Sequence, residues 1–278
     1  MEIEELIQKA LEEDLGSGDH TSLATIPEDS YGKAEMIAKE DGVIAGVEVA
    51  KMVFLAVDPD LKFTFFVKDG DAVKFGEKIM AIRGKSLSML SAERTALNFI
   101  QRMSGIATFT RKMAQKISGL HTRLLDTRKT TPCNRIVEKM AVKAGGGENH
   151  RFGLYDMVLI KENHIDFAGG VKPAIEKVKN YLEKNNLNLK IEVEARDFAE
   201  LNEILETGGI DRIMLDNFTP AELKKALELI PENYETEASG GISLETIRAY
   251  AETGVDYISV GALTHQIKSL DISLVAVV

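Results

Sequence analysis

The spacing of apolar residues divides the chain into two stretches of different rhythm. Residues 2–14 place Ile3, Leu6, Ile7, Ala10 and Leu11 on one helical face, with Gly16 placed to end the helix. Residues 33–45 (KAEMIAKEDGVIA) read as extended chain turning at Asp41-Gly42, and 47–57 (VEVAKMVFLAV) as a buried helix stopped near Pro59. LKFTFFV, 61–67, reads as a strand followed by the Asp69-Gly70 turn, and 71–82 supplies one more short strand. This first stretch predicts an α+β unit with antiparallel strands. Residues 88–118 predict two helices meeting near Ser104-Gly105, a hinge between domains.

From residue 121 the pattern changes. Short β-like runs begin near 122 (TRLLD), 156 (DMVLI), 190 (KIEVE), 211 (DRIML), 235 (ETEAS) and 256 (DYISV), with helical segments between most of them. Val171, Ala174, Ile175, Val178 and Leu182 form one apolar stripe. Asp197-x-x-Glu200 and Thr219-Pro220-x-Glu222 are capping-box starts, and Gly208 and Gly254 stand where helices should end. Strands that read as buried and non-alternating, separated by helices, predict a parallel α/β sheet or barrel. Strand starts 34, 34, 21, 24 and 21 residues apart suit a small (β/α) barrel better than a doubly wound nucleotide fold. No phosphate-binding P-loop, strand-linked G-x-G-x-x-G, heptad run or solenoid repeat is present.

Composition narrows the class. Of 278 residues, 44 are acidic and 34 basic, a net charge of −10, which argues against nucleic acid or an anionic membrane as the main partner. The single cysteine, Cys133, excludes an internal disulfide framework and a cysteine-based zinc site. No apolar run approaches the roughly 18–20 residues of a membrane span, and the acidic, amphipathic start is the reverse of a signal peptide. The expectation is a soluble cytoplasmic protein. Locally the balance reverses: residues 123–161 hold eight Lys/Arg and four Asp/Glu, a net +4.

In α/β sheets and barrels the active site lies at the C-terminal ends of the strands. Here those ends carry Thr127-Arg128-Lys129-Thr130-Thr131-Pro132, Lys161-Glu162-Asn163-His164, Glu194, Asp216-Asn217, Ser239-Gly240-Gly241 and Gly261-Ala262. Arg128, Lys129, His150, Arg151 and Lys161 form a basic group suited to a compact polyanion, because the arginine fork matches carboxylate or phosphate. Glu194 and Asp216 could hold a hydrated Mg²⁺ bridging to substrate phosphates, bind ribose hydroxyls, or neutralise Lys161 or Arg151. Ser239-Gly240-Gly241, before a helix expected near Ser243, and Gly261 suit a phosphate site built on backbone N–H groups. Gly145-Gly146-Gly147-Glu148-Asn149 reads as a flexible loop able to close on a ligand. His20, His121 and His265 lack metal-ligand spacing, and Cys133 reads as a small loop residue, not a nucleophile.

These residues together resemble the quinolinate phosphoribosyltransferase family, the decarboxylating nicotinate-nucleotide pyrophosphorylases. The resemblance covers most of the chain. It runs through Glu13-Asp14-Leu15-Gly16-x-Gly18-Asp19, Ala92-Glu93-Arg94-Thr95-Ala96-Leu97-Asn98 and Ser104-Gly105-Ile106-Ala107-Thr108. It continues through Asp126-Thr127-Arg128-Lys129-Thr130-Thr131-Pro132, Gly145-Gly146-Gly147-x-Asn149-His150-Arg151 and Lys161-x-Asn163-His164. It closes with Glu192-Val193-Glu194, Leu215-Asp216-Asn217, Glu237-Ala238-Ser239-Gly240-Gly241 and Gly261-Ala262-Leu263-Thr264-His265. His20 stands where the family often has an aliphatic residue.

The resemblance implies an α+β N-terminal domain over residues 1–104, with a C-terminal tail (266–278) packing on it. Residues 105–265 would form an incomplete (β/α) barrel of about seven strands. It implies a homodimer in which Arg94 reaches the partner's site. Arg128, His150, Arg151 and Lys161 would surround quinolinate. Lys129, Glu194, Asp216, Ser239, Gly240, Gly241 and Gly261 would face phosphoribosyl pyrophosphate and Mg²⁺. The implied reaction is phosphoribosyl transfer to quinolinate with decarboxylation, in NAD biosynthesis. The alternatives are a phosphoribosyltransferase of the same architecture with another acceptor, and a non-catalytic barrel binding a phosphorylated metabolite.

Overall fold

Residues 2–277 are described by a computed structural model; Val278, the last residue of the expected tail, lies outside them. The first helix forms as patterned: α1 (Ile3–Leu15) buries Leu6, Ile7 and Leu11 and ends at Gly16, whose φ of 49° lets its amide turn back to Glu12. A short helix the patterning did not anticipate, α2 (His20–Thr25), starts where the Asp19 carboxylate accepts from the Ser22 amide at 3.0 Å. There follow β1 (Tyr31–Ala38), β2 (Gly42–Val43), α3 (Val47–Val57), β3 (Lys62–Phe65), β4 (Ala72–Val73), β5 (Lys78–Lys85) and α4 (Ser86–Lys116). The second stretch holds β6 (Arg123–Leu125), α5 (Arg135–Gly145), β7 (Val158–Ile160), α6 (Glu162–Ala168), α7 (Val171–Lys184), β8 (Ile191–Ala195) and α8 (Phe198–Thr207). It ends with β9 (Arg212–Asp216), α9 (Pro220–Leu229), β10 (Glu235–Ser239), α10 (Ile247–Ala251), β11 (Tyr257–Ser259), α11 (Ala262–His265) and β12 (Ile272–Val277).

The chain separates into two compact units. One comprises the residues up to Arg111, Lys129–Gly147 and those from Leu263 on; the other comprises Lys112–Arg128 and Glu148–Ala262. In the first, β12, β1, β5 and β3 form an antiparallel sheet in that order, with Met36 opposite Leu274 on one side and Met80 on the other. Met36, Met80, Ile82, Phe54, Ile7 and Ile100 are fully buried in this unit.

The expected break near Ser104-Gly105 does not form: α4 is one helix of 31 residues. The two small residues serve close packing. Ser104 Oγ accepts from the Ala45 amide at 3.0 Å, and a Cβ on Gly105 would lie 2.3 Å from the Lys268 carbonyl oxygen.

The second unit is a six-stranded parallel sheet in the order β6-β11-β10-β9-β8-β7. Beside β6, a single parallel bridge between Leu125 and Glu148 stands in the place of a seventh strand. The capping expectations hold in part. Thr219 and Glu222 make a reciprocal box with Pro220 in the first turn; Asp197 accepts from the Glu200 amide, but Glu200 accepts from the Arg196 amide, so that box is one-sided. Gly208 ends α8 as expected, whereas α10 ends at Ala251, before Gly254.

The strands differ from expectation in one respect that matters for function: they alternate. Ile191, Val193 and Ala195 share one face of β8, while Glu192 and Glu194 share the other. The same period places Arg212, Met214 and Asp216 together on β9, Glu235, Glu237 and Ser239 on β10, and Tyr257 and Ser259 on β11. Parallel register sets Glu192 beside Arg212, Glu237 beside Met214 and Tyr257, and Asp216 beside Ser239. One face of the sheet is therefore polar although buried, which overall hydrophobicity conceals.

Candidate active site

The polar face ends in the residues expected there. Glu194, near the end of β8, is buried, and its carboxylate contacts the ammonium of Lys161, which follows β7. Asp216, the last residue of β9, is pushed above the ordinary aspartate range, first by burial and then by the charge of Glu194; Lys161 and a Ser239 hydrogen bond act the other way. The Asn217 side-chain amide donates to Asp216 Oδ2 at 2.6 Å, and its backbone amide donates to the Ser239 carbonyl at 2.8 Å.

Asn217 sits at φ 59°, a conformation asparagine tolerates better than most residues. Gly240 leaves room for it, since a Cβ there would lie 2.2 Å from Asn217 Oδ1. Gly240 and Gly241 both take positive φ. The helix expected to start near Ser243 starts only at Ile247 and has five residues. Ser243 and Thr246 instead form a hydrogen-bonded turn, with the Ser243 amide donating to Thr246 Oγ1 at 2.9 Å. The backbone of the glycine turn, not a helix terminus, is what this loop presents. Gly261 follows β11 directly after Val260 and is half-buried.

Below this rim lies a charged layer. His150 Nε2 is 3.0 Å from Glu192 Oε2 and 3.3 Å from Glu237 Oε2, and both carboxylates are fully buried. Arg212 Nη1 donates to Glu237 at 3.1 Å, while its Nε and Nη2 donate to Glu235, and its guanidinium stacks 4.1 Å from the Tyr257 ring. Burial alone would lower the histidine, but the two carboxylates override it and raise it to about 9. Burial and the charge of Glu237 raise Glu192 to about 7. The retained proton belongs to the His150–Glu192–Glu237 group as a whole.

Among the described residues these three also form the one cluster of three metal-ligating side chains. Direct N–O contact and the neutralising Arg212 identify it as an ion-pair network. Glu192, Glu237 and Arg212 are the site-related residues sequence reasoning missed. The signal was the alternation in IEVE, RIMLD and ETEAS.

The basic residues divide between the units. In the α/β unit, the His150 amide donates to the buried Asp126 at 2.9 Å, and Arg151 Nη1 donates to the Met157 carbonyl at 3.1 Å. Burial and then the nearby charge of Arg128 push Arg151 below its ordinary value, so the two guanidinium groups share one locality. His164 accepts from the Lys161 amide at 2.9 Å and so shapes the start of α6.

Lys129 and Arg94 belong to the other unit, and both are exposed. There the Lys129 carbonyl accepts from Thr264 Oγ1 at 2.7 Å. Glu138, fully buried, accepts from both the amide and the hydroxyl of Thr131 and from Arg102. The Gly145–Asn149 run is hydrogen-bonded to its neighbours at two points. Gly146 caps α5 at φ 94°, and the Glu148 amide donates to the Leu124 carbonyl at 2.8 Å. Cys133 is exposed, and Ser17 Oγ lies 3.3 Å from His20 Nε2.

A parallel α/β sheet with cations and carboxylates gathered at the C-terminal ends of its strands defines an enzyme of the α/β-barrel kind. Comparison with known proteins narrows this further. Residues 19–104 match the quinolinate phosphoribosyl transferase N-terminal domain and residues 106–275 the C-terminal domain of that family, so the chain belongs to the quinolinate phosphoribosyltransferase family.

A mitochondrial quinolinate phosphoribosyltransferase (decarboxylating) of Nicotiana tabacum is 49% identical over 284 residues, covering 97% of this chain and 80% of that protein. A probable nicotinate-nucleotide pyrophosphorylase (carboxylating) of Bacillus subtilis is 43% identical, covering 99% of this chain and 93% of its own length. The solved nicotinate-nucleotide pyrophosphorylase of Francisella tularensis superposes with a TM-score of 0.92 at 40% identity, covering 99% of this chain and 96% of that one.

Proposed function

We propose that this protein transfers the phosphoribosyl group of phosphoribosyl pyrophosphate to the ring nitrogen of quinolinate, releasing pyrophosphate and CO₂ and forming nicotinate mononucleotide. The observation that carries the reading is that one unit holds, at its strand ends, the Lys161–Glu194–Asp216 cluster and, after its first strand and in the loop before the next, the neighbouring Arg128 and Arg151.

Quinolinate is a rigid dianion. Arginine forks and a lysine fix its carboxylates in the plane of the ring and present the ring nitrogen to the sugar. As the bond from the anomeric carbon to pyrophosphate breaks, positive charge develops on that carbon. Glu194 and Asp216 are the anions that face it or hold the metal. The nitrogen lone pair forms the new bond and leaves the ring cationic. When the adjacent carboxylate departs as CO₂, the electron pair of the broken bond stays on the ring carbon, stabilised by the neighbouring cationic nitrogen, until a proton from water takes the place of the lost group. The protein's task is to hold two anions in line in a dry cationic site, worth several kcal/mol by orientation alone. No nucleophile and no dedicated acid–base pair is required.

Glu194 and Asp216 fit Mg²⁺: two neighbouring carboxylates, one of them raised by burial and by the other's charge, are relieved by a divalent cation that keeps sites open for phosphate. The ion would supply charge neutralisation for the departing pyrophosphate. Lys129 and the Ser239-Gly240-Gly241 and Gly261 backbone would bind phosphates, as the family resemblance implies. The same resemblance supports a homodimer in which Arg94 reaches the partner's acceptor site. A cytoplasmic location belongs to this reading; no described helix is long and apolar enough to cross a membrane.

Replacing Arg128 or Lys161 by alanine should lower quinolinate turnover by about 100-fold or more with the circular-dichroism spectrum unchanged. Near-normal turnover in both variants would remove this cluster as the site.

A further inference from the structure

The reaction above uses the rim of the polar face and leaves the layer beneath it without a task. That layer holds two fully buried glutamates, Glu192 and Glu237, aimed at one imidazole. Buried carboxylates cost free energy unless they are paired, and replacing them with apolar side chains is often neutral for stability. Stability is therefore a weak reason for them, and what they hold in place is the better one.

His150 is tethered at three points. Its Nε2 meets Glu192 and Glu237 at 3.0 and 3.3 Å, its Nδ1 accepts from the Arg151 amide at 2.7 Å, and its own amide donates to Asp126 at 2.9 Å. Glu237 is held in turn by Arg212, which Glu235 and the Tyr257 ring fix from below.

We propose that Glu192 and Glu237 are positioning residues for acceptor binding: they hold the His150 ring from inside the sheet, and the ring fixes the main chain that presents Arg151. The proposal rests on the reading in which Arg151 grips a carboxylate of the substrate.

The test is steady-state kinetics in both substrates. Glu192→Met keeps the side-chain length and removes both oxygens. It should raise the KM for quinolinate roughly tenfold or more, since small misplacements of a binding group are costly. The KM for phosphoribosyl pyrophosphate should stay within about twofold. Glu192→Gln, which restores an acceptor oxygen, should recover part of that loss. His150→Phe should match Glu192→Met, and the double variant should be no worse than the weaker single, because the residues act as one chain.

A KM for quinolinate within about twofold of wild type in Glu192→Met, or additive losses in the double variant, would overturn the proposal. If Glu192→Met does not fold, a folded Glu192→Gln with wild-type KM, together with a His150→Phe that loses quinolinate binding, overturns it equally. Absence of turnover in the wild-type protein itself would instead count against the proposed reaction. The tether is then judged by hydrogen exchange of the Arg151 amide, which Glu192→Met should accelerate and which an unchanged rate would refute.

Discussion

Glu194 makes one contact that ties it and one that unsettles its neighbour: it pairs with Lys161 and raises Asp216. A carboxylate placed this way either faces the developing positive charge or carries the metal, and the two roles separate in one variant. Glu194→Gln should raise the Mg²⁺ concentration for half-maximal rate about fivefold or more; an unchanged Mg²⁺ profile would leave the residue no metal role.

At this scale the sequence was legible wherever the strand-end rule applied, which is why Lys161, Glu194, Asp216 and Ser239 were found. It was not legible two residues earlier on the same strands. Glu192 and Glu237 have the same face and period as Glu194 and Ser239, but a charged residue inside a strand reads as solvent-facing until its own face is known to be buried as well. His150 was found, but its contacts come from β8 and β10, at positions 42 and 87 residues further along the chain.

Elements with explicit start and stop chemistry were the most readable. α8 begins just after Asp197 and ends just before Gly208, α9 begins just after Thr219 and α1 ends just before Gly16, each beside its signal, because capping is a local hydrogen-bond exchange. Thr219→Ala should therefore lower stability by about 1 kcal/mol in urea denaturation while leaving turnover unchanged.

The failure at Ser104-Gly105 has the opposite cause. A glycine inside a helix signals either a break or a close approach, and only the tertiary partner decides which. Here the partner is the backbone at Lys268, more than 160 residues away. Gly105→Ala raises local helix propensity, yet it should destabilise by about 1–3 kcal/mol through overpacking. A gain in stability would contradict the close packing at Lys268.

Across the whole molecule, the −10 charge and the +4 of residues 123–161 describe different places, and the buried ion network adds a third distribution that neither figure reveals. Its protonation couples to folding. The His150–Glu192–Glu237 group holds one more proton folded than unfolded, the histidine being pushed up to about 9 and Glu192 to about 7; that proton lies between Nε2 and the carboxylates and leaves Nδ1 to accept from the Arg151 amide. The resulting stabilisation is present below about pH 6.5 and is lost as pH rises toward 9. The melting temperature should fall over this window. Glu237→Gln should flatten the slope, and a flat wild-type profile would contradict the assignment.

The central claim is the reaction, and product analysis reaches it most directly. The protein is incubated with quinolinate, phosphoribosyl pyrophosphate and Mg²⁺ and, in parallel, with nicotinate, a monocarboxylate, in place of quinolinate. The predicted result is equimolar pyrophosphate, CO₂ and nicotinate mononucleotide from quinolinate, with little turnover of the monocarboxylate, which leaves part of the cation cluster unpaired. Saturable binding of phosphoribosyl pyrophosphate without pyrophosphate release, or efficient turnover of nicotinate without CO₂, would contradict it.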